Sequence, residues 1–193
     1  MTGETPQAQP GGRTPAPGPL ALVQAFLNTH YDLEVDHGAE VWSSPEAYAG
    51  WLARHRLIAG PIAVSPVEHA RALRVRAALR ALASGEEDAA AGALTTLAEA
   101  GRGAAVEVRF SPADGPAFEA DGTPASAVGL MLAITAQAMR DGSWERLKIC
   151  PGRDCGWAFY DHSRNGSGRW CSMAICGGRE KARTHYRRNR GDR

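Results

Sequence analysis

From Leu20 onward, apolar residues return every three to four positions. Leu20, Val23, Phe26 and Leu27 share one face of "LALVQAFLNTHYDLE", a spacing that predicts an amphipathic helix, and the pattern breaks near Asp36-His37-Gly38. A second helix is predicted over "SSPEAYAGWLARHRLI". Ser44 is its N-cap, Pro45 its first residue, Tyr48, Trp51 and Leu52 face inward, and Gly60-Pro61 ends it. "SPVEHARALRVRAALRALASG" repeats the Ser-Pro start, sets Leu73, Ala77 and Leu79 against arginines, and closes at Gly85. "EDAAAGALTTLAEAG" is a shorter helix whose acidic start suits a helix N-terminus.

The period then falls to two. "AAVEVRFSP" and "AFEADG" read as strands joined by the turn "ADGP", a β-hairpin. "TPASAVGLMLAITAQAMRDGS" returns to a long apolar helix stopped by Asp141-Gly142. The expected fold class is α+β and mostly helical. An α-rich domain with a small hairpin (20–143) precedes a small C-terminal unit (144–193), and an all-α bundle is the competing reading.

Composition changes the picture at the two ends. Residues 1–19 are rich in Pro, Gly and Thr and lack the apolar core of a secretory signal, so they are expected to be a disordered tail on a cytoplasmic protein. No apolar run approaches the roughly 20 residues that cross a bilayer, so no membrane partner is expected. From Cys150 to Arg193 there are ten Lys/Arg and four Asp/Glu, net +6. The whole chain carries +1, which leaves −5 for the rest. A basic end on an acidic body points to an anionic partner.

All four cysteines lie in that basic end, spaced C-x4-C-x15-C-x4-C at Cys150, Cys155, Cys171 and Cys176. Two short loops that each present two thiolates suit a tetrahedral zinc ion. Two disulfides or an iron–sulfur cluster are the alternatives, the former disfavoured in a reducing compartment. Four thiolates leave no open position, so the zinc is expected to be structural. About 45 residues cannot build a core alone. Trp157, Phe159, Tyr160, Trp170 and Met173 are expected to pack around the metal, with Ser172 capping a helix that carries Cys176 inward. His162 and His185 are expected to be surface groups.

Arg164 and Arg169 lie on a Gly/Ser loop between the cysteine pairs. Beyond Cys176, Arg179, Arg183, Arg187 and Arg190 fall on one helix face, which Lys181, His185 and Arg188 broaden. Such a stripe suits the phosphates of double-stranded DNA, and a solvated helix face is the plainer alternative. In the body, no nucleotide fingerprint, nucleophile elbow or catalytic carboxylate pair occurs, so no enzymatic role is expected. His30, His37, His55 and His69 lack metal spacing. Asn28 and Thr29 sit in an otherwise apolar helix. Either they bond to nearby backbone, or they line a small-molecule pocket with Trp51 and Arg76.

At these residues a family resemblance enters. "RWCSMAICGGREKARTHYRR" resembles the CGNR zinc-finger family, named for a Cys-Gly-Asn-Arg motif at its fourth cysteine. "LALVQAFLNTH" and "SPEAYAGWLARHRLI" resemble the ABATE domain, which precedes this finger in bacterial proteins ascribed to stress-induced transcription regulation. The likeness rests there on Phe26-Leu27-Asn28-Thr29 and Trp51-Leu52. It implies a zinc-bound, DNA-binding C-terminus and an effector-binding body, an arrangement with which a homodimer is compatible. The motif here reads Cys176-Gly177-Gly178-Arg179. Gly178 replaces the family Asn, removing an amide and costing a helix about 1 kcal/mol relative to Ala. The function class implied is a transcription regulator. A zinc-stabilised module that binds an acidic protein surface is the alternative, and the segment Asp141–Ile149 is the expected coupling between body and finger.

Overall fold

A computed structural model describes residues 9–30, 40–113 and 115–191, with side chains as far as Asn189. The predicted break at Asp36-His37-Gly38 lies outside the described residues. The helices are α1 (Leu20–Asn28), α2 (Pro45–Arg54), α3 (Pro66–Ser84), α4 (Glu87–Gly101), α5 (Pro124–Arg140) and α6 (Gly178–Gly191). The strands are β1 (Glu107–Ser111), β2 (Gly115–Glu119), β3 (Leu147–Ile149) and β4 (Ala158–Tyr160). The mostly helical α+β class is as expected.

The helix starts follow their capping residues. Ser44 Oγ accepts from the Ala47 amide at the head of α2. Ser65 and Glu68 form a reciprocal capping box on α3, as do Thr123 and Ser126 on α5. Gly85, at φ 75°, ends α3 in the left-handed conformation that glycine adopts most readily. α2 stops at Arg54, short of the expected Gly60-Pro61. Arg56 turns to φ 55°, and Leu57 and Ile58 drop into the core instead of continuing the helix.

Val23, Phe26 and Leu27 of α1 join Tyr48, Trp51 and Leu52 of α2 and Met131 of α5 in one core, with Trp42 packed edge-on or tilted against the rings of Phe26, Trp51 and Tyr48. α3 offers Ala72, Val75, Leu79 and Ala83 to this core. Ala77, expected on the inner face, is exposed, and Arg76 is buried in its place. β1 and β2 pair antiparallel as predicted, with Val108 opposite Phe118.

Two features lie next to the expected boundary at 143/144. Leu147 pairs with Tyr160 and Ile149 with Ala158, forming a second antiparallel hairpin that the hydrophobic pattern does not predict. Trp144, Leu147, Ala158 and Tyr160 belong to the same buried cluster as α1, α2, α3 and α5, so the core is continuous across that boundary. The chain from Gln9 to Pro19 is also not the expected free tail. It lies along the finger, with Ala16 buried. Among the described residues, no helix is long and apolar enough to cross a membrane.

Candidate metal centre and basic helix

The hairpin builds the first half of the centre. Cys150 follows β3 directly, and its amide donates to the Trp157 oxygen (2.9 Å). The Cys155 amide donates to the Gly152 oxygen (3.0 Å), closing a tight turn. A Cβ at Gly152 would lie 3.2 Å from Cys176 Sγ, so a bare backbone lets the two halves close. The second half is a wide π-helical turn, Met173–Gly177. Ser172 caps it by accepting from the Ile175 amide (3.3 Å), as expected, and the Cys176 amide donates to the Ser172 oxygen (3.0 Å).

All four cysteines are buried, with their sulfurs within 4.8 Å of one another. The Cys155–Cys171 and Cys171–Cys176 sulfur separations are both 3.6 Å. Zinc–sulfur bonds of about 2.3 Å at tetrahedral angles place sulfurs about 3.8 Å apart. The electrostatics agree with that fit. Hydrogen bonds from Cys155 and Cys171 hold the Cys150 thiol well below its ordinary range. The thiolate so formed pushes Cys155 up to about 12, and Cys171 rises further for the same reason. Thiolates packed this close repel one another, and a divalent soft ion supplies the positive charge that would hold them together. The centre can therefore hold a zinc ion. No histidine joins this cluster among the described residues.

Alternation along β4 divides the aromatic residues. Trp157 and Phe159 pack with the cysteines and Trp170, as expected. Tyr160 points the other way into the body, and Met173 is exposed, so neither belongs to the finger's own core. Successive strand residues face opposite sides, and β4 has a metal centre on one side and a helical core on the other.

The Gly/Ser loop is knotted at its base. Asp161 accepts from Lys148 Nζ (2.8 Å) and from the amides of Ser163 (3.0 Å) and Gly168 (2.7 Å). Burial alone would raise the Asp161 carboxyl, but Lys148, and then Ser163 and Gly168, hold it well below the usual carboxylate range. Arg164 and Arg169 project from this loop, exposed.

On α6, Arg179, Lys181, Arg187 and Arg188 are exposed and Arg183 is half-buried. The side chain of Arg190 lies outside the described residues. Glu180 engages Arg187 (3.1 Å) and Arg183 (3.6 Å), so the one acidic residue in the stripe neutralises part of it. A Cβ at Gly177 would meet Met173 Sδ at 2.9 Å, the end of an exposed side chain that would have to move aside. Gly178 is already helical (φ −63°, ψ −45°), and a Cβ would be in ordinary contact 3.7 Å from the Met173 oxygen. The backbone therefore has room for the family's Asn.

Asn28, Thr29 and Trp51 line one cleft of about 520 Å³, together with Leu22, Val41 and His55, whereas Arg76 does not line it. Asn28 bonds the backbone of Ala158 across 130 residues. Thr29 Oγ1 donates to the Phe26 oxygen (2.8 Å) and accepts from Arg76 (2.9 Å). Arg76 also grips Glu40 and lies 4.8 Å over the Trp42 ring.

Of the residues that join finger to body, Asn28 stands out in the sequence, though not for this role, and Gln24 and Arg80 go unrecognised there. Gln24 and Asn28 both reach Ala158, and Arg80 joins the Leu27 oxygen (2.9 Å) to the Gly156 oxygen (2.7 Å). A signal was available: Gln24 and Asn28 stand one helical turn apart beside the apolar stripe of α1.

Two family models match the chain. Residues 146–189 match the CGNR zinc finger, and residues 20–141 match ABATE, described as "Putative stress-induced transcription regulator". No curated protein matches. With the body matched over most of the chain and the cysteine cluster assembled at the matched finger, this protein belongs to the ABATE family and carries a CGNR zinc finger at its C-terminal end.

Proposed function

We propose that the chain is a zinc-dependent transcription regulator, cytoplasmic, that binds double-stranded DNA through its finger. In this reading its body, residues 20–143, responds to a stress signal or a small-molecule effector. The observation that carries the reading is the exposed basic surface of α6, rooted in the cysteine cluster. Fourteen residues make a helix of about 21 Å, longer than the roughly 12 Å width of a major groove. Arg179, Lys181, Arg183, Arg187, Arg188 and Arg190 supply charge along it, and Arg164 and Arg169 supply flanking phosphate contacts from the loop.

Zinc, when bound, supplies the cross-link that sets the π-helical turn and so the direction of α6. Cys150, Cys155, Cys171 and Cys176 hold it, and Trp157 and Phe159 keep water from it. The cleft lined by Asn28, Thr29 and Trp51 is the place for an effector. Its polar side chains also hold Ala158 and Arg76, so an occupant there would act on the contacts between body and finger. A homodimer would present two α6 helices to paired half-sites.

Titration of a labelled duplex at several salt concentrations tests the reading. Binding that weakens steeply with salt and is lost on zinc chelation supports it. Absence of duplex binding at low salt overturns it and leaves an acidic protein surface as the partner. The exposed Met173, Ile175 and Tyr186 would then be its apolar contacts.

A further inference from the structure

Before α1 begins, one side chain reaches three carbonyls of the finger. Arg13 Nε donates to the Cys171 oxygen (2.9 Å), one terminal nitrogen to the Trp170 oxygen (3.0 Å) and the other to the Tyr160 oxygen (3.2 Å). Its guanidinium carbon lies 4.8 Å over the Phe159 ring. The flanking chain is held on both sides. Gln9 Oε1 accepts from Trp157 Nε1 (3.0 Å), and the buried Ala16 amide donates to Gln24 Oε1 (2.7 Å). At Gly11 a Cβ would come within 2.7 Å of Ser172 Oγ, so this backbone lies directly on the cap of the π-helical turn.

We propose that Arg13 is a positioning residue of the metal centre, its guanidinium fork fixing the Cys171 peptide against β4 so that the second cysteine pair stays aimed at the first. The three acceptors belong to two segments, the end of β4 after the first cysteine pair and the entry to the second. A planar guanidinium presents several donors in a fixed fork, which can hold three carbonyls at once. A lysine ammonium at the same place keeps the charge and loses that fork. Loss of a zinc ion requires sulfurs to swing outward, and the π-helical turn that follows Cys171 and carries Cys176 leads directly into α6. Freeing it both opens the site and loosens the helix.

The test uses the full-length zinc-loaded chain and follows zinc transfer to an excess of a chromophoric chelator. Arg13→Ala releases zinc about 10- to 100-fold faster than wild type, the range seen when groups that orient metal ligands are removed. Millimolar methylguanidinium slows release again, and equimolar methylammonium does not. Arg140→Ala, on the exposed end of α5, leaves release unchanged. With cobalt(II) in place of zinc, the Arg13→Ala visible spectrum shifts as the sulfur geometry relaxes. Release by Arg13→Ala at the wild-type rate overturns the proposal. Faster release accompanied by equally faster amide exchange throughout α3 and α5 also overturns it, because that marks a loosened chain instead of a loosened site. Should Arg13→Ala fail to fold, Arg13→Lys decides by the same rate: acceleration supports the fork, and an unchanged rate overturns it. The assay follows the metal alone, so the release rate does not depend on whether α6 binds duplex DNA.

Discussion

Asn28 of α1 holds both backbone groups of Ala158 on β4. Its Nδ2 donates to the Ala158 oxygen (2.9 Å), and its Oδ1 accepts from the Ala158 amide (2.7 Å). One primary amide thus does what a neighbouring strand would do on the side of β4 away from β3. It also ties the helical body to the strand that leaves the metal centre. The bond is buried at both ends, so losing it strands a backbone amide where water does not reach.

Asn28→Ala is therefore expected to destabilise the whole chain by about 1–3 kcal/mol, the cost of a buried polar group left unpaired. Gln24 still donates to the Ala158 oxygen (3.1 Å), so the orphaned group is the amide. Urea denaturation followed by tryptophan fluorescence measures the loss. An unchanged midpoint would mean that the body and finger are held elsewhere.

A second expectation concerns pH. The Asp161 carboxyl is held below its ordinary range, so its contribution is fully present above the unfolded value, about 3.9, and is lost as pH falls through the lower folded value. Asp161→Asn removes the Lys148 ion pair and the charge on two amide bonds. The variant should be less stable than wild type at pH 7, by about 1–3 kcal/mol. The difference should begin to shrink below about pH 4, where Asp161 of the unfolded chain takes up a proton while that of the folded chain stays ionised. Thermal melts of both proteins from pH 7 to pH 3.5 would show it, and a gap independent of pH would assign the loss to packing.

The finger should not stand alone. A fragment of residues 144–193 exposes Leu147, Ala158 and Tyr160, all buried against the body, and loses Arg13, Gln24, Asn28 and Arg80. With zinc added, it is expected to give few dispersed amide resonances and to aggregate. The full chain should unfold in one transition. A well-dispersed zinc-bound fragment would show that the shared core is dispensable.

The basic stripe gives opposite expectations for two kinds of change. Replacing Arg183 and Arg187 with Ala should weaken binding to all duplex sequences alike and flatten the salt dependence by about one unit per lost phosphate contact. Glu180→Gln frees the same two arginines and should tighten non-specific binding and steepen that slope. Fluorescence anisotropy over a salt series reads both. Identical slopes in all three proteins would return the stripe to a solvated surface.

Much of this protein is written in short-range pattern. Ser44, Ser65 and Thr123 fix where helices start, because a capping side chain acts within three residues of itself. The change of period near Val106 marks the first hairpin, and the paired cysteines mark a metal centre, because their spacing is itself the geometry. What the sequence left undecided depends on groups far apart in the chain. The β3–β4 hairpin is two three-residue strands, too short for a period to register, and it holds because Asn28 and a helical core flank it. Tyr160 and Met173 have the composition of a finger core, yet the direction of one strand and one turn sends them elsewhere. Pro and Gly in residues 9–19 resemble a free tail, since nothing local holds them. Arg13 and Gln9 find their partners about 150 residues away, on a surface that exists only once the cysteines have come together.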